Sequence, residues 1–383
     1  MHASRPDKPN RPHPPVSKQR MTREAVARVI QERILNGTYR PGEELPSHEV
    51  LRAELHPTLS MSTFSQGVRL LKELGFLEIR HRLGTRVTDR PPHLHRYALA
   101  LPNPPDPDEP TSFFSVLEAV ARHHTSQHPH EHISFYHGLV HSAGRAQTIA
   151  ELHRELSWHR LRGIIFACTV YHWDYDHIFE GSIARMVSVG GWERYLPEMP
   201  KVGSPPSGDA FDFMEKALDQ ARQMGAREVA VIRRGEDDED LLSSLERPTW
   251  QPWLHALRRR DLRTRPEWLL SIYKPLGWSI GRLLMAPTDR PDLIVITDDT
   301  LVAPVTAGIM STPPPHPKII ALTNFPVLPP CPLPVLRLGY DVTARLEWAL
   351  GVIQNDPPRA SHEDFPITAQ TEADWRKQGG KPL

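Results

Sequence analysis

Ala25, Val26, Val29, Ile30 and Ile34 recur at three- and four-residue spacing, which puts them on one face of a helix. Asn36-Gly37 ends that run, since both residues accept the left-handed conformation that closes a helix. An extended Leu45-Pro46-Ser47 step follows, with Ser47 as the cap of a second helix over roughly 48–55 whose inward side is Val50, Leu51 and Leu55. A third helix starts at Ser60 and buries Phe64, Gly67, Val68, Leu71 and Leu74. Two short strands are then predicted, Phe76–Arg80 and Thr85–Thr88, around His81-Arg82-Leu83-Gly84.

Past Arg90-Pro91-Pro92 the pattern changes to short apolar strands alternating with amphipathic helices, which argues for a parallel α/β sheet. The strand candidates are Tyr97–Leu101, Ile133–Tyr136, Gly163–Phe166, Arg185–Val189, Glu228–Ile232, Asp292–Ile296, Lys318–Ala321 and Leu333–Leu338. Helices are predicted over Phe113–His124, Ala146–Arg160, Phe211–Gly225, Leu276–Ala286, Thr300–Met310 and Asp341–Ile353. The spacing falls into two sets. Lobe 1 is expected over about 97–203 with a C-terminal return, and lobe 2 over about 207–325. The expected organisation is therefore an N-terminal arm at 1–20, a head at 21–90, a linker at 91–96, a two-lobed doubly wound body at 97–355 and a polar, fraying tail at 356–383.

Charge sharpens this division. The totals of 46 Lys plus Arg and 46 Asp plus Glu cancel, but residues 1–96 hold 17 against 10, leaving +7 for arm, head and linker together and −7 for the rest. All nine Trp lie beyond residue 150. The arm carries five Pro among many charges and is expected to be disordered. Cys168 and Cys331 are too few for a disulfide framework and read as buried free thiols. No run approaches the roughly 18 apolar residues that span a bilayer, so the sequence reads as a cytoplasmic protein without a membrane partner.

The outer face of the third helix carries Ser62, Ser65, Gln66, Arg69 and Lys72. Short hydroxyl and amide groups reach base edges in a major groove, and cations hold phosphates. Helix, helix, helix and basic hairpin together make a winged helix-turn-helix for double-stranded DNA. The segment resembles the GntR family through Leu45-Pro46-Ser47, Ser60-Met61-Ser62-Thr63, Leu71-Lys72-Glu73-Leu74-Gly75-Phe76-Leu77 and Gly84-Thr85. The DNA-binding residues expected are Ser47, Ser60, Ser62, Thr63, Ser65, Gln66, Arg69, Arg80, His81, Arg82, Gly84, Thr85 and Arg86. Met61 and Ser65 stand where the family usually has arginines, each worth ~1–3 kcal/mol of discrimination at a guanine, so the family operator does not transfer.

The body resembles the ligand-binding domain of LacI/GalR repressors and type I periplasmic binding proteins. The carriers are Leu101-Pro102-Asn103 leading to Phe113–Leu117, then Leu161–Phe166, Met224–Ile232 and Arg290–Asp299. Ligands of such sheets bind outside the carboxyl ends of the strands. The effector-binding candidates are Asn103, Phe114, Arg247, Trp278, Asp298, Asp299 and Asn324. The resemblance implies that Asp299 contacts sugar hydroxyls, while Asp298 or Asp299 can equally cap the helix starting at Thr300, and both readings stay open. For Phe114 and Trp278, core packing competes with ligand contact, and Arg247 can be a plain surface residue. Ser188-Val189-Gly190-Gly191 and Ser204-Pro205-Pro206-Ser207 depart from the family at cleft-facing turns, which weakens a carbohydrate assignment.

His123, His124, His128, His130 and His132 crowd one stretch, but no Cys or carboxylate pattern completes a zinc site, and a solvated loop is the expectation. Glu236–Asp240 likewise reads as a solvated loop. Phosphate loops, Gly-x-Ser-x-Gly and His-Glu-x-x-His are absent, so no catalytic residue, metal or cofactor is predicted. The sequence thus points to a homodimeric transcription regulator, with repression as the expected sign, whose DNA affinity responds to a small molecule, with carbohydrates the class the resemblance suggests. A ligand-less dimerisation body and an enzyme acting on sugars or amino compounds are the alternatives.

Overall fold

Thr22, Ser47 and Ser60 each start a helix by accepting a backbone N–H with the side-chain hydroxyl: from Ala25 at 3.2 Å, Val50 at 3.4 Å and Thr63 at 3.1 Å. The computed structural model describes residues 21–139, 144–167, 181–189, 209–235, 250–286, 289–355 and 368–383. The expected arm, Cys168, Gly190 and Gly191, Ser204–Ser207, Glu236–Asp240 and Arg247 lie outside these residues. The chain divides at Pro92 into two compact units.

In the first unit, α1 (Arg23–Leu35) and α3 (Met61–Glu73) pack against each other, with α2 (His48–Leu55) between them in the chain. Asn36 caps α1, and Gly37 has φ +80°, as expected for the predicted stop. Gly67 permits the α1–α3 contact, since a Cβ there would lie 2.6 Å from Val26 Cγ1. The wing is β1 (Leu77–Arg80) paired antiparallel with β2 (Gly84–Val87). The Leu45 N–H donates to the Thr85 carbonyl at 2.8 Å, tying the extended Leu-Pro-Ser step to the wing.

In the second unit, β3 (Arg96–Ala100), β4 (His132–Tyr136), β5 (Gly163–Phe166) and β6 (Arg185–Ser188) form an all-parallel sheet in the order β4-β3-β5-β6. Strand alternation sorts its two faces. Ala98 and Ala100 meet Ile149, Leu152 and Leu156 of α5 (Arg145–Ser157), while Tyr97 and Leu99 meet Val116, Leu117 and Val120 of α4 (Phe113–Gln127).

The second lobe contains α6 (Asp209–Gln223), β7 (Val229–Arg234), α7 (Gln251–Arg259), β8 (Leu269–Ile272), α8 (Gly277–Leu283), β9 (Leu293–Ile296), α9 (Val302–Met310), β10 (Lys318–Phe325) and β11 (Val335–Asp341). Its sheet runs β11-β10-β9-β7-β8, all parallel, plus the antiparallel edge strand β12 (Gln370–Thr371). Val229 and Val231 face α6 and α7, and Ala230 and Ile232 face the layer built by α8 and α9.

Lobe 2 extends past the expected limit at 325. β11 pairs with β10 from Ile319↔Val335 to Phe325↔Asp341, and only then does α10 (Val342–Gln354) return to lobe 1, packing Leu346 and Leu350 against the α4 side. Gly339 makes this pairing possible, because a Cβ there would overlap the Thr323 backbone. The C-terminal segment was expected to fray, yet residues 370–377 form β12 and α11 (Glu372–Lys377). The reason is Trp375. Its ring is buried and stacks on Phe325 at 4.7 Å, while its indole N–H donates to Asp341 Oδ2 at 3.0 Å. No helix among the described residues is long and apolar enough to cross a membrane.

Candidate DNA-reading face and effector cleft

In the first unit, Phe64, Val68 and Leu71 are buried while Ser62, Gln66, Arg69 and Lys72 are exposed, with Thr63 and Ser65 half-buried. The predicted polar face of α3 therefore points outward. Ser60 and Ser47 are exposed caps whose hydroxyls are engaged with their own helix starts. At the wing, Arg80, His81, Arg82 and Gly84 are exposed, with Arg82 at φ +65°. Thr85 departs from the expectation: its side chain is buried and lies 3.1 Å from His48 Nε2. Strand alternation requires this, because Val87 faces the core and Thr85 shares its face. Arg86 is held by Glu78 at 2.7 Å and Asp89 at 3.2 Å, which keeps its pKa above the ordinary guanidinium value. His48 was missed by sequence reasoning; it meets Phe64 edge-on at 5.2 Å and braces α3 against the wing.

The histidine stretch is a solvated loop only in part: His128 and His130 lie exposed in the turn between α4 and β4, whereas His123 and His124 lie on α4 and His132 opens β4. His124 Nε2 lies 2.8 Å from Glu131, and its ring stacks on His128 at 4.3 Å. Cys331 is a half-buried free thiol whose Sγ donates to the Leu333 carbonyl at 3.2 Å.

In the second unit, a cavity of about 520 Å³ opens at the carboxyl ends of β7, β8 and β9, lined by Arg233, Arg234, Gly235, Tyr273, Thr297 and Asp298. These ends are where an open parallel sheet leaves backbone and loops free to meet a ligand. Asp298 resolves the capping question. Its carboxylate accepts the Thr300 N–H at 2.9 Å and the Thr300 hydroxyl, fixing a short 3₁₀ turn that leads into α9. Burial raises its pKa, and Arg234 partly opposes that. Asp299 instead turns into the protein, where Asn324 Nδ2 donates to its Oδ2 at 2.7 Å and both side chains are buried. Burial above all, and then the neighbouring Asp298 charge, push the Asp299 pKa well above the ordinary aspartate value.

The structure brings three of the effector candidates together, Asp298, Asp299 and Asn324, but only Asp298 is among the lining residues. Asn103 is exposed on the loop after β3, and Phe114 is half-buried on α4 against Phe113 at 5.7 Å. Trp278 is 44% exposed on α8, beneath the guanidinium of Arg282, and does not line the cavity. Sequence reasoning missed Arg233, Arg234 and Tyr273. Their signal was available in the rule that strand ends bind ligands, applied to Arg233-Arg234 at the end of β7.

The lobes are bridged beside this cavity. Arg234 Nη1 donates to Glu109 Oε2 at 2.7 Å, from lobe 2 to the loop before α4 in lobe 1, and the Lys274 ammonium donates to the Asp108 carbonyl. Glu109 raises the Arg234 pKa. Farther along the junction, the buried Arg345 donates to the Val189 carbonyl at 3.2 Å and lies over the Tyr340 ring at 4.7 Å.

Residues 22–87 match the family model described as bacterial regulatory proteins, gntR family. Among curated proteins, no sequence matches the chain. Similar solved structures include a LacI regulator from Lactobacillus casei with bound Tris, at 15% identity and a TM-score of 0.52 over 74% of this chain and 96% of that one. A LacI family transcriptional regulator from the same organism with bound sucrose is 15% identical, with a TM-score of 0.51 over 73% of this chain and 98% of that one. A regulatory protein of the LacI family from Chloroflexus aggregans is 14% identical, with a TM-score of 0.52 over 72% and 96%. The head is thus a gntR-type winged helix-turn-helix, and the body has the two-lobed parallel-sheet fold of LacI regulators.

Proposed function

We propose that the protein is a cytoplasmic transcription regulator whose affinity for an operator is set by a small molecule bound between the two lobes of its body. The observation that carries this reading is the union, in one chain, of a gntR-matching head presenting an exposed polar helix face with a polar cavity at the carboxyl ends of three parallel strands. The sucrose-bound L. casei neighbour supports carbohydrates and their derivatives as the compounds to screen. An effector can shift DNA affinity only through its differential affinity for two arrangements of the lobes, typically ~1–3 kcal/mol. The cross-lobe bridges of Arg234 and Lys274 are the contacts such a shift would remake.

The regulator acts as a homodimer in this reading, two heads reading an inverted repeat. The packed pair α8 and α9, with the residue before α8, leaves Leu276, Trp278, Leu283 and Met310 exposed, which supports this layer as the surface where a second copy covers apolar area. The test is selection of the full-length protein against a random duplex pool at near-physiological salt, repeated with sugars and sugar acids present. An inverted repeat whose retention changes with one compound is the expected result. Salt-sensitive retention without a consensus would sink sequence-specific regulation.

A further inference from the structure

The cavity lining is rich in donors. Arg234 brings a guanidinium group, Tyr273 and Thr297 bring hydroxyls, and Arg233 also lines the cavity with its own guanidinium over the Trp250 ring at 5.8 Å. A neutral polyol needs acceptors for its hydroxyl protons, and carboxylates are the strongest of these. The one carboxylate among the described lining residues is Asp298, whose Oδ1 already takes the N–H and the hydroxyl of Thr300. Asp299 is buried away beneath Asn324. Guanidinium groups match carboxylate and phosphate oxygens in a planar, two-pronged geometry that a sugar hydroxyl cannot use as well.

A second observation shows what this place holds. Arg234 carries a carboxylate in the structure, that of Glu109, which reaches over from lobe 1 to 2.7 Å and is itself only 14% exposed. Glu109 sits in a turn fixed by its own N–H to the Asp106 carbonyl at 2.9 Å and by the Asp108 N–H to Asp106 Oδ1 at 2.8 Å. The chain thus supplies an acid group to a guanidinium that lines the cavity.

We infer that the effector is a small organic anion, a hydroxylated carboxylate or a phosphate ester, whose acid group takes the place of Glu109 on Arg234. The inference rests on the effector reading above and names the ligand's chemistry. Binding then exchanges an intrachain bridge between the lobes for one that runs through the ligand, and Glu109 is the built-in competitor. Affinity falls with salt, because two opposite charges meet in a partly exposed cleft.

The experiment is a thermal-shift and calorimetric titration of the full-length chain at fixed ionic strength with two panels. The acid panel is gluconate, glucuronate, citrate, glucose 6-phosphate and inorganic phosphate; the neutral panel is glucose, galactose, fructose and sucrose. Saturable binding from the acid panel is expected, and carboxylate or phosphate members identify which acid group is used. Arg234→Ala is expected to weaken it about tenfold or more, whereas Glu109→Gln is expected to tighten it several-fold. That gain cannot come from misfolding, so it guards the test against a damaged Arg234 variant. Saturable binding confined to the neutral panel overturns the anion and leaves the effector reading standing. No binding from either panel overturns both, and acid binding unchanged by both substitutions overturns the placement on Arg234.

Discussion

The Asn324 amide donates to Asp299 Oδ2 at 2.7 Å at the ends of two adjacent strands, where neither side chain reaches solvent. The Asn324 bond favours the ionised carboxylate, but burial and the Asp298 charge outweigh it. Asp299 keeps its proton to a higher pH when folded than when unfolded, because burial and the Asp298 charge disfavour the carboxylate. The folded state then binds the extra proton between the two pKa values, so stability falls as pH rises from the ordinary aspartate range through the raised value. Asp299→Asn cannot ionise and still accepts the Asn324 amide. It is expected to flatten this fall and to match or exceed the parent's stability at pH 8, as read from urea unfolding at pH 4, 6 and 8. A variant weaker than the parent at every pH would show that the ionised carboxylate is what Asn324 holds.

Elements with a strong period were legible before the structure. The end of α1, both ends of α2 and the start of α3 fell at their predicted places because Gly37 and the hydroxyls of Ser47 and Ser60 mark them chemically. β8 was missed, since Leu269-Leu270-Ser271-Ile272 is too short to show a period between Pro266 and Lys274-Pro275. α7 was missed because Pro252 looks like a breaker, although proline is well placed in a first helical turn. The cleft was legible only in part. Asp298 announced itself by following a strand, but which of Asp298 and Asp299 caps the turn is decided by the fold of three strands, and no local pattern carries that. Arg234 became a site residue through Glu109, 125 positions away in sequence.

Gly281 and Gly308 set the approach of α8 to α9. A Cβ on Gly281 would overlap the Val305 carbonyl oxygen, and one on Gly308 the Trp278 carbonyl oxygen, both of them backbone atoms that cannot swing away. Either glycine changed to alanine is expected to destabilise the body by about 1–3 kcal/mol or more in chemical denaturation. Gly351 on α10 is the matched control, with nothing within 4 Å of its would-be Cβ. There, alanine is expected to add roughly 0.4–1 kcal/mol by restricting the unfolded chain.

Arg69 is exposed on the outer face of α3, whereas Thr85 is buried against His48. Arg69→Ala is expected to weaken DNA binding, and if the residue holds a phosphate the slope of log affinity against log salt drops by about one. Thr85→Val keeps the shape and loses the hydroxyl. It is expected to lower stability by about 1 kcal/mol while leaving that salt slope unchanged, as fluorescence anisotropy at four salt concentrations would show. A changed slope for Thr85→Val would put the hydroxyl on the DNA after all.

In the dimer proposed above, the exposed apolar side chains around α8 and α9 are what brings two heads to one inverted repeat. Leu283 is 63% exposed, on a helix whose other side is committed to α9 through Gly281. Leu283→Asp leaves the inner packing intact and puts a charge where a second copy would desolvate it. The variant is expected to stay folded, to shift towards monomer in sedimentation velocity, and to bind a single half-site with little change. On the full inverted repeat it is expected to lose affinity, since the second head no longer arrives with the first. If sedimentation and inverted-repeat affinity both match the parent, the copies meet elsewhere, and the apolar side chains around α8 and α9 serve another purpose.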